Sequence, residues 1–132
     1  MAKRGEGIVI RDAHFPGRAP IEAYGDGGFR FADMSHRGSL LCVPSGIYGF
    51  AATSMADLDR DALERVFQEV ADIEVLLIGA GDEPARIPSA LKTALREAGI
   101  MSDAMTTGAA VRTYNVLLSE DRAVAAVLLA VD

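Results

Sequence analysis

The chain has 132 residues, half of them apolar and 24% charged, and carries a net charge of −6. That length and composition fit one globular domain (residues 1–132) with a substantial core and exclude a disordered chain. Residues 1–37 hold six basic against five acidic side chains and the remainder seven against fourteen, so the body is acidic without a basic stripe. Phosphate neutralisation supplies most nucleic-acid affinity, which disfavours nucleic acid and, for the same reason, an anionic lipid surface.

Cys42 is the sole cysteine, so no intramolecular disulfide can form and a reducing compartment is expected. No apolar stretch follows Lys3-Arg4, so no secretory signal is expected. The longest apolar run, 123–131, has nine residues, about half of the ~20 that a membrane helix needs. A cytoplasmic location follows.

In chain order, Ile8, Val9 and Ile10 predict a short strand, and the two prolines and one glycine of 12–20 a loop. Residues 21–24 and 29–31 predict a β-hairpin around Gly25-Asp26-Gly27-Gly28, because glycine and aspartate supply the positive φ of tight hairpin turns. Strands at 39–43 and 47–50 flank Pro44-Ser45-Gly46, making the first fifty residues β-rich and antiparallel, with the aromatics on one side. Asp57 or Asp59 can cap a helix whose Leu63, Val66, Phe67 and Val70 fall on one face, with Asp61 and Arg65 paired outside. Val75, Leu76, Leu77 and Ile78 leave no polar face and predict a strand buried on both sides, turned by Gly79 and Gly81.

A helix over 87–98 then carries Ile87, Leu91, Leu95 and Ala98, with Pro88 in its first turn and Gly99 as its stop. Residues 100–105 form a strand. Thr106 or Thr107 caps a third helix with Ala110, Val111, Tyr114, Leu117 and Leu118 as its buried stripe, and 123–131 is a last, doubly buried strand. This order predicts an α/β fold with a mixed central sheet covered by helices and an antiparallel β-rich N-terminal part.

Gly79-Ala80-Gly81 lacks the third glycine of a dinucleotide fingerprint, since Pro84 stands there. The more informative stretch is Thr106-Thr107-Gly108-Ala109-Ala110-Val111-Arg112-Thr113-Tyr114-Asn115. On a helix, Gly108, Arg112, Asn115 and Ser119 form a polar ridge opposite the buried stripe. Gly108 leaves N–H groups open at the positive helix end, and the Arg112 fork lies one turn on, a combination suited to carboxylate or phosphate. The loops at 79–81 and 106–108 leave neighbouring parallel strands at the end where α/β sheets place ligands. A small-anion pocket would therefore draw on Gly79, Gly81, Thr106, Thr107, Gly108, Arg112 and Asn115; the structural alternative has Arg112 pairing with a surface acid and Asn115 bracing a loop.

Ser45 lacks the glycine a nucleophile elbow requires two residues before it, since position 43 is Val, and is read as a turn serine. His14 and His36 are twenty-two residues apart and no metal-ligand spacing recurs, so neither a metal nor a cofactor is implied. Tyr24, Phe29, Phe31, Tyr48 and Phe50 are core or an exposed patch for a partner.

Five blocks, Ala23-Tyr24-Gly25-Asp26-Gly27-Gly28-Phe29, Gly38-Ser39-Leu40-Leu41, Pro44-Ser45-Gly46, Asp72-Ile73-Glu74-Val75-Leu76-Leu77-Ile78-Gly79 and Thr107-Gly108-Ala109-Ala110-Val111-Arg112-Thr113-Tyr114-Asn115, resemble one family across residues 8–131. It is a small domain of unknown function shared by bacterial and archaeal proteins, an adipogenesis-associated animal protein and a mitochondrial respiratory complex I assembly factor. The resemblance implies a compact α/β domain without established enzymatic activity. It also implies protein partners, since the mitochondrial relative acts by binding assembly factors and nascent subunits at the inner membrane. Phe50 stands where many relatives carry Trp, and the absence of a mitochondrial presequence favours a bacterial-type member. A non-enzymatic interaction or assembly protein is the first expectation, a small-anion-binding domain or unrecognised enzyme the second; self-association stays open.

Overall fold

A computed structural model describes residues 13–132; the strand expected at Ile8–Ile10 lies outside them. Twelve helices and strands follow one another among the described residues. Strand β1 is Ala13–Phe15, β2 Ile21–Gly25, β3 Gly28–Phe31, β4 Met34–Arg37, β5 Ser39–Val43 and β6 Gly46–Phe50. Helix α1 is Glu64–Gln68, β7 Val75–Gly79, α2 Ser89–Glu97, β8 Met101–Met105, α3 Thr107–Ser119 and β9 Val124–Leu128.

Six strands form a mixed sheet in the order β1-β6-β5-β9-β7-β8. Strands β7, β8 and β9 run parallel, whereas β9 meets β5 antiparallel, as do β5 with β6 and β6 with β1. A separate antiparallel sheet holds β2-β3-β4. This is the expected α/β fold, with a mixed sheet and a β-rich N-terminal part.

The apolar runs divide by the two-residue period of a strand. Leu41, Val43, Leu76, Ile78, Ala125 and Val127 face α1 and α2, packing with Leu63, Val66, Leu91 and Leu95. Leu40, Cys42, Leu77, Val124, Ala126 and Leu128 face the other way, toward Ala110, Val111 and Tyr114 of α3 and toward Phe29 and Phe31 of the small sheet. The small sheet and α3 therefore share one face of the large sheet. The aromatics do not lie on one side as expected: Phe29 and Phe31 join the α3 side, Tyr48 and Phe50 the α1 side.

The expected hairpin forms with a two-residue loop, Asp26 and Gly27, both at positive φ. A second hairpin, unread in the sequence, joins β3 to β4 through Ala32 and Asp33 at φ 48° and 62°. It has the same geometry but no glycine to announce it, and the polar Met-Ser-His-Arg strand that follows has no apolar alternation.

Between β6 and β7 a single helix was expected, but a 3-10 turn at Met55–Asp57, the short α1 and a second turn at Val70–Asp72 replace it. The Asp57 carboxylate accepts the N–H groups of Thr53 (3.0 Å) and Ser54 (3.2 Å), which secures a loop and holds its pKa below the ordinary value. Asp59 accepts the Ala62 N–H at 2.8 Å and starts the turn leading into α1. Arg65 does not pair with Asp61; its guanidinium lies 4.0 Å over the Tyr48 ring. Helix α2 begins at Ser89, one residue after Pro88, and closes with Ile100 N–H to Leu95 O and Gly99 N–H to Arg96 O, a Schellman motif at the expected stop.

The last strand ends at Leu128, short of the expected 131. Beyond it, Leu129 N–H donates to Gly79 O (3.0 Å), Ala130 N–H to Ser39 Oγ (3.0 Å), and Val131 O accepts the Gly27 N–H (2.8 Å). The C-terminal segment thus ties the large sheet to the small one.

Cys42 is fully buried beside the Tyr114 hydroxyl. Burial pushes its thiol up from 9.0 to about 12, against the lowering effect of the Tyr114 contact, and burial likewise raises the Tyr114 phenol. Both groups stay protonated in the fold after the unfolded chain has ionised them. Stability is therefore intact below pH 9 and falls above it, at ~1.4 kcal/mol per pH unit for the thiol and as much again from the phenol above pH 10. Between pH 9 and 11, urea unfolding should show Cys42→Ala losing about 2–3 kcal/mol less than wild type; equal losses would show that the thiol ionises freely in the fold.

Candidate functional site

The two loops expected to frame a site do meet, at the carboxyl ends of the adjacent parallel strands β7 and β8. Gly79 ends β7, and a Cβ there would stand 2.9 Å from Thr107 Cα and 3.2 Å from Ala110 Cβ, so glycine is what lets α3 lie this close. Thr106 is the N-cap, its Oγ1 accepting the Ala109 N–H at 3.3 Å. Thr107 is fully buried and faces the turn. Its Oγ1 accepts the Gly81 N–H at 3.0 Å and donates to Leu129 O at 2.7 Å, while its own N–H donates to Gly81 O at 2.9 Å. The polar groups of the turn and of the helix start are directed at one another.

The ridge of α3 expected to face solvent at Gly108 and Asn115 is instead covered by β2. Asn115 Oδ1 accepts the Ile21 N–H and its Nδ2 donates to Ile21 O, both at 2.9 Å. The amide stands where the next strand of the small sheet would be, completing the edge of β2. At the other end the Tyr24 ring lies on Gly108: an added Cβ would meet the Tyr24 hydroxyl and would stand 3.0 Å from Cζ.

The spacing explains the pairing. Seven residues of helix rise about 10.5 Å and three of strand about 10 Å, so Gly108 and Asn115 match Tyr24 and Ile21 along antiparallel axes. Sequence reasoning placed Asn115 correctly on the helix and missed its partner. The available signal was that equality of rise, together with a tyrosine on an edge strand.

Arg112 does not join this arrangement. It is exposed on α3, one turn beyond Gly108, without an ion pair among the described residues. Of the seven residues considered together in the sequence, Gly79, Gly81, Thr106 and Thr107 form one joint, Gly108 and Asn115 hold β2, and Arg112 faces water. Three surface cavities of about 290 to 440 Å³ are lined by other residues. Ser45 is a bracing turn serine: its Oγ donates to Glu69 Oε2 at 2.6 Å and lies 2.9 Å from the Tyr48 hydroxyl, and its N–H donates to Glu69 Oε1 at 2.9 Å.

Residues 21–129 match the model of a family described as a protein of unknown function (DUF498/DUF598). The chain belongs to this family. A Bartonella henselae crystal structure, described as an outer membrane protein, is 63% identical with a TM-score of 0.87, covering 90% of this chain and all of that one. An uncharacterised Rhodobacter capsulatus protein is 40% identical over 122 residues, 92% of this chain and 93% of its own. Family likeness extends to the NADH dehydrogenase [ubiquinone] 1 alpha subcomplex assembly factor 3 of Xenopus tropicalis, 28% identical over 109 residues. The match spans 83% of this chain but only 60% of that assembly factor.

Asn115→Ala strands two backbone groups of Ile21 and should lower unfolding free energy by about 2–3 kcal/mol, against no more than ~0.5 kcal/mol for Arg112→Ala. Chemical denaturation checks both; equal, small effects would show that the amide bonds contribute little. Gly108→Ala should be worse tolerated with Tyr24 present than in a Tyr24→Ala background, where a helix gains up to about 1 kcal/mol from alanine. A double-mutant cycle without coupling would show that the ring does not rest on the helix.

Proposed function

We propose that this protein acts by binding other proteins, as an assembly-factor-like module without catalysis of its own. The observation that carries this reading is the likeness to complex I assembly factor 3 along 109 residues, in a chain whose residues 21–129 match one family. The internal use of Thr107 and Asn115 points the same way, because the most polar segment of α3 is committed to holding two sheets together.

The partners proposed are respiratory-complex subunits or their assembly factors. The proposed setting is the cytoplasm, with any membrane contact made through such a partner; no described helix is long and apolar enough to cross a membrane. The whole chain, 1–132, is proposed to work as one domain.

A small-anion site using Gly79, Gly81, Thr106, Thr107, Gly108, Arg112 and Asn115 is the competing proposal. It would require Asn115 and Thr107 to give up internal bonds, and Tyr24 to leave Gly108. Affinity capture from native cells, quantified by mass spectrometry and paired with membrane fractionation, separates the two. Enrichment of respiratory-complex subunits or assembly factors is expected; their absence above background would remove the proposal. An Arg112-dependent thermal stabilisation by inorganic phosphate or a carboxylate metabolite would favour the anion site instead.

A further inference from the structure

The two ends of α/β cover leave two strand edges in very different conditions. The edge of β2 is capped at Ile21 by the Asn115 amide. Among the described residues, strand β8 is the last of the six-stranded sheet and is bonded to β7 alone. Met101 N–H donates to Glu74 O and Met105 O accepts the Ala80 N–H, so the odd positions of β8 face β7. By the alternation of a parallel ladder, the N–H and C=O groups of Ser102 and Ala104 point out from the sheet. No ladder partner meets them among the described residues.

Beside this edge, between α2 and β8, lies a cavity of about 430 Å³ lined by Lys92, Arg96, Gly99, Ile100, Met101 and Ser102. Met101 is 70% exposed, the most exposed large apolar side chain among the described residues. Lys92 and Arg96 stand one turn apart on α2 without ion pairs among the described residues, in a chain of net charge −6. A free edge and two unpaired cations border one groove, with the exposed Met101 at the start of that edge.

The chemistry decides between occupants. A second copy could pair with β8 about a two-fold axis, and the register using both outward residues of each copy sets Ser102 opposite Ala104. That register places Asp103 directly against Asp103 of the other copy, a repulsive pair on an exposed strand. It also brings two Lys92–Arg96 pairs to the same face. The edge is guarded against itself.

We propose that the β8 edge and the α2 groove receive an extended, acidic segment of a partner protein, added as a seventh strand. Its main chain bonds to Ser102 and Ala104, and alternate carboxylates lie over Lys92 and Arg96. Its intervening side chains, facing Asp103, are neutral or basic. This assigns a surface and a ligand chemistry to the interaction module proposed above and rests on that reading.

The test uses the whole chain in its native cells, with the photo-crosslinker benzoylphenylalanine replacing Met101, or Glu22 or Val116 as exposed control positions. Position 101 is expected to give an adduct with a respiratory-complex protein, mapped to a segment with acidic residues at alternate positions. Lys92→Glu with Arg96→Glu, both on an exposed helix face, should cut that adduct at least tenfold. An adduct with a second copy, with a segment lacking acidic residues, or one undiminished by the charge reversal would overturn the proposal. Silence at 101 with respiratory adducts from 22 or 116 overturns the β8 surface alone and leaves the interaction module standing. Silence at all three, together with failed affinity capture, removes both.

Discussion

A strand laid along a helix has a problem that two helices or two sheets do not share. The helix has used its own backbone groups internally, so the outer N–H and C=O of the strand find no partner on it. Asn115 resolves this with a primary amide, which offers a donor and an acceptor side by side in one plane. That pair of 2.9 Å bonds holds the start of β2 against α3. Phe29 and Phe31 can then fill the space beneath, against Leu40, Cys42 and Leu128.

Thr107 plays the corresponding part at the helix start. Its hydroxyl joins the turn after β7 to the segment after β9, and Gly79 makes the approach possible. The residues that mark this family most clearly in sequence thus include several that build the joint between the two sheets. A family signature of this kind reports how the fold is assembled. What the fold presents to other molecules lies elsewhere, on faces such as the β8 edge, where the backbone is open and the flanking charges are unpaired.

Most of the architecture was legible because its signals are local. Runs of Val, Leu and Ile marked β5, β7 and β9, and the Asp26-Gly27 loop and the Gly99 stop marked their turns. The second hairpin was not legible, since Ala32 and Asp33 take a turn geometry that composition associates with glycine and asparagine. The helix expected from a cap at Asp57 or Asp59 through Val70 was overestimated: its apolar period is real, and Leu63 and Val66 are buried, but Asp57 and Glu69 serve the loop and Ser45 instead. For the candidate site, sequence brought the loops at 79–81 and 106–108 together, and they do meet. It could not give the direction in which Asn115 and Thr107 point, because their partners, Ile21 and Leu129, are 94 and 22 residues away in the chain.

Native-state hydrogen exchange at a single amide bears on all of this most directly. With β2 clamped by the Asn115 side chain, the Ile21 amide should exchange only as slowly as α3 and the main sheet open, with protection close to that of Leu77 in β7. Exchange of Ile21 at the rate of an exposed loop amide, while Leu77 remains protected, would contradict the clamp and leave the small sheet held by the Gly27–Val131 bond and apolar contact.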